Sequence, residues 1–169
     1  MGDYEFFIEL PLASEWSSVD LIRTSVQNCL TAIFRDLDGC HVVAMITGEL
    51  LENAVKYGDW SADSRRFRLR VNGSQGKARI SVENPVKPND PGVADVVDTI
   101  NWIERFKTPA EAYRAKLLEV ASASASDFAS SRLGLVRIAY EGNCRLRCTL
   151  ADDILRVTAE MEFRESHAT

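Results

Sequence analysis

The chain is 169 residues long, 46% of them hydrophobic and 27% charged, which is the composition of one ordinary globular domain with enough apolar material for a core. Its 20 Lys and Arg against 25 Asp and Glu leave a net charge of −5, which argues against indiscriminate nucleic-acid binding through a strongly cationic surface. No stretch approaches the ~18 consecutive apolar residues of a membrane helix. The opening MGDYEFF is acidic where a secretory leader is basic, so a cytoplasmic protein without a membrane segment is the expectation. Phe6 stands where a myristoylation motif has Ser or Thr, which removes the lipidation reading of Gly2. Cys29, Cys40, Cys144 and Cys148 have neither CxxC spacing nor the density of a disulfide scaffold, and read as small thiols in a reducing compartment. His41 and His167 leave almost nothing from which to build a catalytic triad or a multi-histidine metal site.

In chain order, residues 4–11 (YEFFIELP) read as a strand ended by Pro11, with Ser14 as an N-cap for the next segment. From Glu15 to about Arg35, Val19, Ile22, Val26, Leu30, Ile33 and Phe34 recur every three or four residues and paint one buried helical stripe, broken by Asp38 and Gly39. A second helix runs from His41 to Tyr57 through Val42, Ile46, Leu50 and Ala54, with Gly58 as its stop. Phe67, Leu69 and Val71 alternate with Arg66, Arg68 and Arg70; after a turn with Gly73 and Gly76, Ala78, Ile80 and Val82 alternate with Arg79, Ser81 and Glu83. Period-two alternation on both sides of a turn is a hairpin. Three prolines make 85–91 a loop, and Val93, Val96, Val97, Ile100 and Ile103 return to helical spacing. Thr108-Pro109-Ala110-Glu111 is a capping box with proline at N1, opening a helix through Tyr113, Leu117 and Val120. The small, polar SASASDFASS from 122 reads as a mobile loop, Arg132–Glu141 as a short helix closed by Gly142, and the alternating runs 144–148 and 155–164 as two strands.

Strands with one apolar and one charged face mean a largely antiparallel sheet, covered by helices on one side and wet on the other. The expected fold is therefore α+β, a two-layer α/β sandwich formed by a single domain over 1–169. The arginines at 66, 68, 70, 79, 145, 147 and 156 invite an RNA-binding reading of the wet face, but cross-strand pairing with Glu83, Glu160 and Glu162 is preferred.

The most informative segment is Glu49-Leu50-Leu51-Glu52-Asn53-Ala54-Val55-Lys56-Tyr57-Gly58. Glu49 and Asn53 are four apart on a helix and so project from one face toward a common point. An amide oxygen is a neutral hard ligand suited to Mg²⁺ between phosphates, and a carboxylate can take the proton of a hydroxyl nucleophile or a water in phosphoryl transfer. Glu52 and Lys56 also have the spacing of a surface ion pair.

This segment resembles the N-box of the GHKL superfamily of histidine-kinase-like ATPases, and more closely that of the small bacterial anti-sigma-factor kinases. The order strand, helix, N-box helix, hairpin, lid, helix, two strands is also similar to that of the Bergerat ATP-binding fold. The resemblance implies Glu49 as general base, Asn53 as magnesium ligand, Lys56 near the phosphates and Tyr57 beside the nucleoside, with ATP and Mg²⁺ as cofactors. The family's next strand ends in Asp-x-Gly-x-Gly, whose aspartate accepts from the adenine amine. Here Ile80-Ser81-Val82-Glu83-Asn84-Pro85 stands there, and strand parity puts Asn84, not Glu83, on the helix-facing side as its equivalent. Both following glycines are absent. The second glycine box resembles Ser131-Arg132-Leu133-Gly134-Leu135, in which Gly134 survives and Arg132 replaces the first glycine, either to clasp a phosphate or to obstruct the backbone. A helical insert at about 86–130 replaces the short lid.

The implied function is a Mg·ATP-binding bacterial regulatory protein, sharpest as a serine/threonine kinase of a partner-switching system. The alternative is a degenerate member, without tight nucleotide binding or catalysis, that acts as a protein-interaction module. Either way a protein partner in a signalling pathway is expected, with no membrane or nucleic-acid ligand and with a homodimer left open.

Overall fold

The computed structural model describes residues 4–10, 16–34, 36–61, 66–74, 76–122 and 133–162. They form β1 (Tyr4–Leu10), α1 (Trp16–Ile33), α2 (Leu37–Tyr57), β2 (Phe67–Ser74), β3 (Lys77–Pro85), α3 (Pro91–Ile103), α4 (Pro109–Ser122), α5 (Leu133–Glu141), β4 (Arg145–Ala151) and β5 (Ile154–Glu162). The strands make one sheet in the order β1-β2-β3-β5-β4. Every neighbouring pair is antiparallel. This is the expected α+β sandwich. Among the described residues no helix is long and apolar enough to cross a membrane.

The alternation of each strand decides which face is buried. Leu69, Val71, Ile80, Val82, Leu155, Val157 and Ala159 face the helical layer and belong to the core with Leu50 and Leu51 of α2 and Val136 and Ile138 of α5. Helix α2 packs on β3, α1 and α5 pack on α2, and α4 packs on α5. The outer face is laced across strands: Arg68 bonds Glu9 at 2.8 Å, Arg156 bonds Glu83 at 2.8 Å, and Arg79 bonds Glu160 at 2.6 Å. Glu5 of β1 adds a pair with Arg70 at 3.4 Å. Four arginines of this face, Arg68, Arg70, Arg79 and Arg156, are thus paired with acidic neighbours, in line with the period-two pattern.

Element boundaries depart from the sequence reading where caps decide them. Asp38 and Gly39 do not break a helix; they lie in the first turn of α2. Asp36 is the N-cap, and its carboxylate accepts from the Gly39 N–H at 2.9 Å. A carboxylate satisfies an orphan N–H there and complements the helix dipole, which outweighs the poor propensity of Asp and Gly in the first turn. Likewise α3 begins at Pro91, inside the expected loop, because Asp90 caps it by accepting from Gly92 N at 2.7 Å and proline suits N1. The Thr108 box forms, with the Glu111 N–H donating to Thr108 Oγ1 at 3.2 Å, although the Glu111 carboxylate takes the N–H of Lys107 instead of that of Thr108. The segment expected as a helical insert carries α3 and α4; the serine–alanine stretch after Ser122 lies outside the described residues, as does Arg132.

Candidate functional site

Helix α2 presents Glu49, Glu52, Asn53, Lys56 and Tyr57 to a cavity of about 410 Å³, a size in the range of small-molecule sites. The second wall is α3, through Asp95, Val96 and Thr99, and the third is α5, through Leu133, Gly134, Leu135 and Arg137. All three walls follow from helical spacing: 49, 52, 53 and 56 lie within two turns on one face of α2, 95 and 99 are one turn apart on α3, and 134 and 137 one turn apart on α5. The structure thus brings together Glu49, Asn53, Lys56, Tyr57 and Gly134, five of the residues singled out from the sequence.

Two close approaches shape the cavity. At Gly134 a Cβ would lie 2.9 Å from Glu49 Oε2, so the missing side chain lets the start of α5 close over the α2 carboxylate. At Gly92 a Cβ would lie 2.4 Å from Tyr57 Cδ1, so glycine is required for α3 to lie against the Tyr57 ring. Lys56 does not close the expected pair with Glu52: its ammonium sits 5.0 Å from the centre of the Tyr57 ring.

The polar atoms of the site are unevenly satisfied. Glu49 is bonded through Oε1 to Arg137 Nη2, joining α2 to α5. Its side chain is 16% exposed and that of Arg137 42%, so the pair sits at the cavity wall rather than in open solvent. Asn53 Nδ2 is buried and has no hydrogen-bond partner, and neither has Arg137 Nε, which lies 3.9 Å from a Glu141 carboxylate oxygen. A buried donor without an acceptor costs about 1–3 kcal/mol, so an unmet Asn53 amide marks a place where an acceptor is missing. A phosphate oxygen would fit the donor as it stands, and the same amide turned over would offer its oxygen to a cation. Among the described residues no group of three or more His, Cys, Asp or Glu is arranged to hold a metal ion. A magnesium ion here would therefore depend on Asn53 together with phosphate oxygens, which is how this ion is commonly held.

Asn84 is placed elsewhere. It lies on the helix-facing side of β3 as parity requires, 3% exposed, with its Nδ2 donating to Pro85 O at 3.2 Å. The hollow it borders is a different one, shared with Glu9, Arg66, Asp152 and Asp153. Val86, standing where the first family glycine would be, is 2% exposed and fills core space, with its N–H tied to Asp153 O at 2.8 Å. The Asn-Pro-Val turn thus anchors β3 to the β4–β5 turn instead of opening a pocket wall. Arg137, Asp95 and Thr99 escaped the sequence reading. Their one available signal was the shared face of Gly134 and Arg137, three residues apart on a short helix.

No family model matches the chain, and neither does any curated protein at a significant level. The fold does have a solved counterpart. A chain of the crystal structure of the SiaB–SiaC complex from Pseudomonas aeruginosa superposes with a TM-score of 0.70 at 18% identity, over 92% of this chain and 88% of that one. At that identity the likeness is one of fold.

Proposed function

We propose that the α2/α3/α5 cavity binds Mg·ATP in a Bergerat-type site and that the chain is a regulatory phosphotransferase, passing a phosphoryl group to a hydroxyl of a partner protein. The observation that carries this reading is the convergence of Glu49, Asn53 and Gly134 on one cavity whose buried Asn53 amide has no partner. Asn53 orients the phosphates and holds the metal, which when bound supplies charge neutralisation of the phosphoryl oxygens. Glu49 accepts the proton of the attacking hydroxyl. Lys56 lies along the phosphates and Tyr57 beside the nucleoside, while the N-terminus of α5, with Gly134 and the preceding Arg132, receives phosphate as helix N-termini do. Fold likeness to a chain crystallised in a two-protein complex supports looking for the acceptor among protein partners.

A second reading, an interaction module that keeps the fold without tight nucleotide binding, is favoured by Asn84 bordering another hollow and by Glu49 being tied to Arg137. Thermal denaturation with millimolar Mg·ATP separates the two. A ligand at 100 times its Kd stabilises by about 2.7 kcal/mol, a shift of several degrees for a domain of this size. The phosphotransferase reading expects that shift, and it expects Glu49→Gln to keep binding while losing transfer. Full turnover by Glu49→Gln would remove the general-base role, and no shift at millimolar nucleotide would favour the module.

A further inference from the structure

We infer that Arg137 is a phosphate-binding residue held in reserve by Glu49, so that polyphosphate entry exchanges the Arg137–Glu49 bond for an Arg137–phosphate bond and thereby releases the base. The inference rests on the nucleotide reading of the cavity and goes beyond it by coupling binding to the availability of Glu49.

Three features of the site lead there. First, the cavity is lined by three carboxylates, Glu49, Glu52 and Asp95, against two cations, Lys56 and Arg137, so with Arg137 neutralised by Glu49 the field opposes a polyanion. A polyphosphate therefore has to compete with Glu49 for the guanidinium. Second, Arg137 spends only Nη2 on Glu49 while its Nε is buried without an acceptor, so the guanidinium keeps unmet donors at the cavity wall. A guanidinium fork fits phosphate oxygens as well as carboxylate oxygens, and phosphate brings more charge. Third, Gly134 lets the start of α5 approach Oε2 of Glu49, where a Cβ would lie 2.9 Å away, so the carboxylate and the first turn of α5 sit at one place in the cavity. Glu141, one turn further along α5, lies 3.9 Å from Arg137 Nε, too far to satisfy that donor. The consequence is a site in which Glu49 stays occupied until a nucleotide draws Arg137 away.

A double-mutant cycle read by calorimetric titration with Mg²⁺ and a non-hydrolysable ATP analogue tests the exchange. Glu49→Gln, which removes the competing charge, is expected to tighten binding about fivefold. Arg137→Gln is expected to weaken it about tenfold, Arg137→Lys to restore part of the loss, and Glu49→Gln with Arg137→Gln to bind like Arg137→Gln alone within about twofold. Clear binding in the wild type with Glu49→Gln neutral or weaker, or with full affinity in Arg137→Gln, overturns the exchange and leaves the nucleotide site standing. Absence of binding in the wild type and every variant overturns both.

Discussion

The two most charged regions of the molecule behave in opposite ways. On the outer face of the sheet, arginines and glutamates alternate with the strands and meet across them: Arg68 with Glu9, Arg156 with Glu83, Arg79 with Glu160. These pairs are solvated, their members need no ligand, and each is worth about 0–1 kcal/mol. In the α2/α3/α5 cavity fewer charges converge from three helices, Glu49 is largely withdrawn from water, and Asn53 and Arg137 each leave a buried donor unmet. Density of charge therefore does not single out the proposed site. Unequal satisfaction is the better guide to the proposed site: the cross-strand pairs answer one another, whereas two of the buried donors without partners, Asn53 Nδ2 and Arg137 Nε, belong to residues that line this one hollow.

The comparison can be broken or sharpened by substitution. The largest effect belongs to the cavity. Asn53→Ala should abolish the magnesium-dependent thermal shift while leaving the apo protein as stable as wild type or slightly more so, because it removes an unpartnered buried donor rather than a bond. A melt of the apo variant several degrees below wild type would show that Asn53 is structural. Next comes Asn84→Asp. This change restores the residue type of the resembled motif but puts a carboxylate at a site 3% exposed, so we expect a loss of roughly 2 kcal/mol at neutral pH by urea denaturation. The buried carboxyl would have a raised pKa, so its cost should fade as pH drops. Nucleotide affinity should not improve, and an improvement would mean that Asn84 does reach the ligand.

Gly134→Ala places a Cβ against the flexible end of Glu49, so stability should change by less than about 1 kcal/mol, with better helix propensity offsetting the contact, while nucleotide affinity falls. Equilibrium denaturation beside a titration would show whether the two separate. Arg79→Ala on the sheet's outer face should be the mildest, within about 1 kcal/mol and without effect on nucleotide binding; a large loss of binding would undo the contrast between the two regions.

An alkaline prediction concerns the core between these regions. Burial pushes the Cys144 thiol up to about 12 and, with a smaller contribution from Cys40, the Tyr4 hydroxyl up to about 12. Both raised groups keep their protons in the folded state, so their contribution is full below the unfolded pKa values of 9.0 and 10.0 and is lost as pH rises toward 12. Stability should decline above about pH 9, and Cys144→Ala should flatten the first part of that decline.

What could be read from sequence and what could not divide along physical lines. Strand parity is local, so the burial of Ile80, Val82 and Asn84 against the exposure of Arg79 and the sheet's arginine–glutamate lacing were legible. The convergence of Glu49 and Asn53 follows from helical spacing and was legible too. Where α2 begins was not, because Asp38-Gly39 looks like a breaker until Asp36 is seen to cap it. The separation of Asn84 from the cavity depends on how Pro85 and Val86 pack against the β4–β5 turn, a tertiary fact with no periodic signature. Arg137 has only its shared face with Gly134 to mark it in the sequence; the packing of α5 on α2 is what brings it to Glu49.

The most direct test of the central claim is an isothermal titration of the protein with ATP, with and without Mg²⁺, beside Asn53→Ala. The account predicts binding that requires magnesium in the wild type and is lost in the variant. Equal heats in wild type and Asn53→Ala, or none in the wild type at millimolar nucleotide, would contradict it.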